Sequence, residues 1–340
     1  MNIFSYFFRL IQSVIAFFLQ MTRSGANRLK AHSATWIRTV GTLAVTVLMA
    51  FTLSGCASSL AEYLPAGFNQ STTASKQVEG TLDVYVLNIG QGDSILIRSG
   101  NDYSLIDTGD VDHRDNLVAY LKKYNVTKLK NVIITHPHAD HLGGFYAITK
   151  AGIPIEHVYD NGASYNSSVY NTYMKNVDRL KIPRTVLYKG DVVDFGNGAT
   201  FTVYAPWEAD PITSEKSGDD VNNNSIVGKL EFGKFSMLFT GDAERLEENR
   251  LIKEQNTKLS SRFLKVGHHG SNTSSQKDFL RSVRAETAVI SVGEKSIYGH
   301  PADQTIKRLK EENMTIYSTF EKGTVQIHTD GNTWQITTDK

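Results

Sequence analysis

The chain has 340 residues, with 36 Lys and Arg against 35 Asp and Glu, and 40% of its residues are hydrophobic. That balance fits one globular domain with attachments and gives no general polycationic surface for coating nucleic acid, so any preference for anions must come from a site. The single cysteine, Cys56, excludes an internal disulfide and a cysteine-rich metal centre.

In chain order, Ile3–Leu19 is apolar but broken by Arg9 and Gln12, and a second apolar stretch, Thr39–Leu53, follows Arg38. The second stretch is short for a membrane span and ends in Leu53-Ser54-Gly55-Cys56. It resembles a bacterial lipoprotein signal peptide, which implies lipidation at Cys56, export, and anchoring to the outer face of the cell membrane. An ordinary membrane anchor is the alternative. Met21, with Arg23, Arg28, Lys30 and Arg38 after it, opens a more ordinary signal, so translation from Met21 is one reading and an extra membrane-associated helix the other. Residues 56–78, rich in Ser, Thr, Ala and Gln, read as a flexible tether after a 1–55 leader. Residues 79–340 read as the folded domain.

That domain opens with the alternating strand Leu82–Leu87, a Gly90-Gln91-Gly92-Asp93 turn, and strands over Ser94–Arg98 and Tyr103–Ile106. A helix over Asn116–Tyr124 places Leu117, Val118 and Leu121 toward a core. The apolar run Val132-Ile133-Ile134 then delivers His136-Pro137-His138-Ala139-Asp140-His141. Only ten histidines occur in the chain, so three of them with a carboxylate in six residues is a dense metal-ligand set. Such a loop aims His136 and His138 at one ion and Asp140 and His141 at a second.

Followed by Leu142-Gly143-Gly144, this loop resembles the metallo-β-lactamase superfamily. The resemblance implies an α/β layered fold: an αββα sandwich of two mixed β-sheets flanked by helices, with a one- or two-metal hydrolytic site at one edge. It casts Asp107, at a strand tip, as a second-layer carboxylate that orients the loop. Asp242, after the apolar strand Phe235–Phe239, becomes the bridging carboxylate. In Gly267-His268-His269-Gly270, His269 is assigned as a ligand and His268 to the substrate or a second layer, although sequence alone leaves the two exchangeable.

Many members of the superfamily place another histidine before the bridging Asp. Here His157 lies too early and reads as a strand-surface residue, and the expected place holds Asn222-Asn223-Asn224-Ser225. The first ion is thus expected on His136, His138 and Asp242 alone, with open coordination. Two divalent ions, zinc or else manganese, with two carboxylates leave the site at about +2, which suits an anionic phosphodiester, DNA among them.

The order of Asn88-Ile89-Gly90-Gln91-Gly92-Asp93, the metal loop, Asn223-Asn224-Ser225, Thr240-Gly241-Asp242, His268-His269-Gly270-Ser271 and Tyr298-Gly299-His300-Pro301 looks like the hydrolase domain of ComEC-type competence proteins. The resemblance covers roughly residues 80–335. It implies catalytic roles for Asp140, His268 and His300, with His300 as a phosphate contact or general acid before a helix over Ala302–Glu312. It also points Asn223, Asn224, Ser225 and Ser271 at substrate, although Ser271–Ser274 equally suit the cap of a helix near Ser275.

Bacterial surface phosphorylcholine esterases are similar domains with the same ligand set. That alternative asks for an aromatic cage, for which Tyr165, Tyr170, Tyr173 and Trp207 are candidates. A non-catalytic binding lipoprotein is the third reading. Lys122, Lys123, Lys128 and Lys130 form a local basic cluster that reads first as a solvated face. Nothing in the sequence calls for a protein partner.

Overall fold

The computed structural model describes residues 78–213, 220–294 and 296–340. The leader, the Met21 start, Cys56 and the tether up to residue 77 lie outside the described residues. Among the described residues no helix is long and apolar enough to cross a membrane.

Two mixed sheets face each other. The first runs in the order β15-β14-β1-β2-β3-β4-β5-β6. Its strands are Leu82–Val86 (β1), Ile95–Ser99 (β2), Asp102–Ile106 (β3), Leu129–Ile134 (β4), Ile155–Asp160 (β5), Arg184–Val186 (β6), Val325–Thr329 (β14) and Trp334–Thr338 (β15). The second runs β13-β12-β11-β10-β9-β8-β7. It consists of Val192–Gly196 (β7), Ala199–Ala205 (β8), Val227–Phe232 (β9), Phe235–Phe239 (β10), Phe263–Lys265 (β11), Thr287–Ile290 (β12) and Thr315–Ser318 (β13). Each sheet is part antiparallel and part parallel, the parallel strands being β3 to β6 in the first and β10 to β13 in the second.

The burial pattern explains the layers. Leu82, Val84, Val86, Ile97, Ile106 and Ile133 meet Phe195, Phe201, Phe235, Met237, Phe239 and Phe263 between the sheets. The alternate residues of the first sheet, among them Leu87, Leu105, Val132 and Ile134, pack outward against Leu117, Leu121, Phe145 and Val177 of the helices. Leu238, Leu264, Ala288 and Ile290 do the same on the other side. A strand covered on both faces reads as a continuous apolar run, which is why Val132-Ile133-Ile134 shows no alternation. The expected αββα sandwich is therefore present.

The predicted strands and helices fall within a few residues of those observed; the helices run Arg114–Lys123, Lys277–Val283 and Asp303–Glu311. The C-terminal hairpin β14-β15, outside the strands expected above, closes the first sheet by pairing β14 with β1, and Val325-Gln326-Ile327-His328 alternates accordingly.

Candidate metal centre

The loops that follow parallel strands β3, β4, β10 and β11 meet at one edge of the sandwich. Loops at the carboxyl ends of parallel strands are the usual place for a site in such sheets. β3 ends in Asp107, β4 in Thr135-His136, β10 in Thr240-Gly241-Asp242, and β11 leads to His268-His269.

The backbone is bent to make this possible. Asp107 stands at φ 56°, and His268 and His269 are consecutive left-handed residues at φ 49° and 53°. Each such non-glycine residue costs about 1–3 kcal/mol and persists where its surroundings force it, commonly at functional sites. The His268 amide is held by the Gly241 carbonyl at 3.1 Å.

Hydrogen bonds then fix each imidazole. The Asp107 carboxylate accepts from the Thr135 amide at 2.7 Å, from Thr135 Oγ1 at 2.8 Å and from His141 Nδ1 at 2.8 Å. His136 Nδ1 sits 3.1 Å from Thr135 Oγ1, so Asp107 orients His141 directly and His136 through Thr135. His269 Nδ1 donates to the Ser291 carbonyl at 3.1 Å. With these Nδ1 atoms occupied, the Nε2 atoms of the three rings are turned inward.

They converge on Asp242. Its Oδ1 lies 3.2 Å from His141 Nε2 and 3.7 Å from His269 Nε2, and its Oδ2 lies 3.7 Å from His136 Nε2. Asp140 Oδ2 stands 3.3 Å from His269 Nε2, and His136 Nε2 stands 3.0 Å from His138 Nδ1. Two donor groups result around Asp242: Asp140, His141, Asp242 and His269; and His136, His138 and Asp242, with the atoms of each group within 4.8 Å of one another. A third cluster, Asp93, Asp107 and His141, lies behind them, and there Asp107 Oδ2 is taken up by His141 Nδ1 and Thr135 Oγ1.

His141 Nε2, His269 Nε2 and Asp242 Oδ1 are buried and have no hydrogen-bond partner. Each unsatisfied buried atom costs about 1–3 kcal/mol, and three aimed at one point fit a bound cation. The electrostatics agree. Burial opposes charge on His141 and His269, yet Asp242, with Asp107 and Asp140 at His141, and with Asp140 and Asp93 at His269, carries both above the usual imidazole range, His269 to about 10. Asp242 is buried too, but His141 and His269 hold it well below the usual carboxylate range. Imidazole and carboxylate donors suit zinc and its first-row neighbours.

All six expected ligands, His136, His138, Asp140, His141, Asp242 and His269, thus come together, with Asp107 behind them. His268 stands apart from the two groups. Its Nδ1 donates to Glu244 Oε1 at 3.0 Å, and its Nε2 faces Asp242 Oδ2 at 3.7 Å. Glu244, which also accepts from Thr273 Oγ1 at 2.9 Å, carried no sequence signal.

His300 lies at the rim, its ring 5.5 Å from that of His268. Burial and the neighbouring His268 and His269 hold it down at about 4, so at neutral pH it is a neutral hydrogen-bonding group. In that form it suits the phosphate contact of the two roles expected for it.

The four residues expected to face substrate make bonds within the protein. Asn224 spends its amide on Ile212 and Asp220, and Asn223 is buried, with its Oδ1 accepting from the Glu247 amide. Ser225 Oγ accepts from the Asp242 amide at 3.1 Å and lies 3.4 Å from His136 Nδ1. Ser271 Oγ pairs with Thr273 Oγ1. These bonds brace the loops: they engage both ends of the Asn224 amide, the Ser225 and Ser271 hydroxyls and the Asn223 Oδ1.

The aromatic cage is not assembled. Tyr173 is buried and donates to Asp160, Tyr170 packs against the core, and the Arg250 guanidinium covers the Trp207 ring at 4.0 Å. Of the four, Tyr165 touches the centre, edge-on to His138 at 5.1 Å. His157 bonds Thr185 on the sheet, as expected of a strand-surface residue. Lys123, Lys128 and Lys130 are ion-paired with Asp339, Glu156, Asp102 and Asp194.

Comparison with known proteins places this geometry. The family model described as the metallo-beta-lactamase superfamily matches residues 87–294. Competence protein ComA of Neisseria gonorrhoeae is 30% identical over 256 residues, covering 73% of this chain and 32% of that protein. ComE operon protein 3 of Bacillus subtilis is 27% identical over 267 residues, covering 73% and 33%. The chain therefore spans about a third of the length of these curated relatives. Among solved structures, a diphosphatase of the PhnP family matches with TM-score 0.45 at 13% identity, over 74% of this chain and 99% of that one. The family match runs from the end of β1 through the loop after β12 and takes in every donor of both groups, so the chain belongs to the metallo-beta-lactamase superfamily and is related to the competence proteins.

Proposed function

We propose that this protein is a metal-dependent phosphodiesterase that acts on nucleic acid, with two divalent ions, zinc first, at the two donor groups. The observation that carries the reading is the inequality of those groups around one carboxylate. Asp140, His141, Asp242 and His269 offer four donors, whereas His136, His138 and Asp242 offer three. A three-donor site leaves room for a substrate oxygen.

Ions held there supply Lewis acidity toward phosphoryl oxygens and activate water for attack. The chain's own residues do the rest. Asp242 offers one oxygen to each group and fixes their separation. The Asp107 carboxylate and the Ser291 carbonyl hold His141 and His269 through Nδ1, so that Nε2 of each ring is turned toward the donor groups. His268, anchored through Nδ1 by Glu244, is placed to meet the phosphate or the leaving oxygen with Nε2. The relatedness to competence proteins supports nucleic acid over a small ester. The reading extends to location: export and lipid anchoring through Cys56 rest on the Leu53-Ser54-Gly55-Cys56 sequence.

The test assays the full chain, loaded with zinc or manganese, on bis(p-nitrophenyl) phosphate and on single- and double-stranded DNA, with Asp140→Ala/His141→Ala as control. Metal-dependent cleavage of the diester and DNA, lost in the control, is expected. Cleavage of the small diester alone moves the substrate to a surface polymer or small molecule, and cleavage of neither removes the phosphodiesterase reading.

A further inference from the structure

Behind His269 lies a charged pair that the proposed chemistry does not use. Lys265 Nζ sits 2.8 Å from Asp93 Oδ2, with side-chain exposures of 1% and 2%. Burying both charges is expensive, and replacing such a pair by apolar side chains of similar size is often neutral or stabilising. Stability is therefore a poor reason for its presence.

Its connections point elsewhere. Asp93 Oδ1 is 3.4 Å from Nδ1 of His269, the ring whose Nε2 faces Asp140 and Asp242. The Asp93 amide donates to the Asp140 carbonyl at 3.2 Å. Gly92 beside it packs so closely that a Cβ there would stand 2.4 Å from that same carbonyl oxygen. Asp93 thus touches two of the four donors, one through its side chain and one through its backbone. Lys265 is the last residue of β11, four positions before His269, and its ammonium also donates to the Val266 carbonyl at 2.9 Å. The pair ties the turn after β1, in the first sheet, to the strand that delivers His269 from the second.

We infer that Lys265 and Asp93 are positioning residues for the four-donor group, and that they set its affinity for a divalent ion without being needed for the fold. The ammonium also balances Asp93, so that this second-layer carboxylate adds no net charge to the centre. The inference rests on the metal-centre part of the proposed function and not on its substrate.

The experiment compares the full chain as wild type, Lys265→Met, Lys265→Arg and the double variant Asp93→Leu/Lys265→Met. Zinc affinity is read by competition with a chromogenic chelator, and urea unfolding is followed in chelator without metal. The wild type is expected to show two sites. In Lys265→Met and in the double variant one of them weakens by about tenfold to a hundredfold, the usual size for loss of a ligand's outer support, while the other stays within twofold. Lys265→Arg recovers part of the loss. The double variant unfolds at a urea concentration equal to or above that of the wild type.

The proposal is overturned if the double variant keeps both affinities within twofold. It is equally overturned if both sites weaken together with a lower unfolding midpoint, or if the double variant fails to fold, since each outcome makes the pair structural. A wild type that binds two ions but cleaves no phosphodiester removes the proposed substrate and leaves this inference standing. A wild type that binds fewer than two removes both.

Discussion

Two buried carboxylates stand behind two facing histidines, and they are supported in opposite ways. Asp107 holds His141 and is itself held by neutral donors, the amide and hydroxyl of Thr135. Asp93 stands by His269 and is held by the Lys265 ammonium. The first arrangement is local, made between the ends of adjacent strands β3 and β4. The second spans the two sheets. A hydrogen-bonded carboxylate stabilises the fold it belongs to, whereas a buried ion pair contributes little net stability and is kept for what it positions.

The largest effect should come from the residue both supports serve. Asp242→Ala removes a donor from each group, so we expect cleavage to fall by at least about a thousandfold and metal content to drop at both sites, read by turnover and by elemental analysis. Next, Asp107→Ala should cost about 2–4 kcal/mol in urea unfolding because it leaves the Thr135 donors unmatched, together with a tenfold to hundredfold loss of metal affinity. Set beside the Asp93→Leu/Lys265→Met variant, expected to lose affinity without losing stability, this is the sharpest contrast. Equal destabilisation by the two would break the comparison.

A third buried carboxylate marks its limit. Glu248 accepts from the amides of Ser275 and Gln276 and supports a loop, not a ligand. Burial outweighs those bonds and raises its carboxyl to about 8. The folded protein then keeps a proton that the unfolded chain, near 4.5, has released, so its contribution is full below about 4.5 and is lost as pH rises through about 8. Stability should fall across that window by up to about 1.4 kcal/mol per pH unit from this group, and Glu248→Gln should flatten the profile. An unchanged slope in the variant contradicts the account. The smallest effect belongs to the surface: Lys123→Ala removes an exposed pair with Asp339 and should leave both cleavage and the unfolding midpoint within error.

What the sequence made legible follows the same division. The His136–His141 loop is legible from its own ligand density after an apolar strand, and the superfamily resemblance then picks out Asp107, Asp242 and the His268-His269 pair. The central strands were equally visible because they are covered on both faces. Asp93 reads as a turn residue, and Lys265 carries no signal of its own, since their pairing is a tertiary contact between residues 172 positions apart, from 93 to 265. The Asn223-Asn224-Ser225 segment is visible in the sequence, but its internal bonds are not. The Asn224 amide looks available for substrate until the Ile212 and Asp220 carbonyls are seen to accept from it, and Asn223 Oδ1 accepts from the Glu247 amide. Pairing of β14 with β1 joins opposite ends of the domain and leaves no local trace.

The central claim is that Asp242 bridges two unequal metal sites. Anomalous diffraction from crystals of the zinc-loaded chain tests it most directly. The account predicts two peaks, one against each oxygen of the Asp242 carboxylate, with the peak at Asp140, His141 and His269 the more fully occupied. A single peak, or two peaks of which neither touches Asp242, would contradict it.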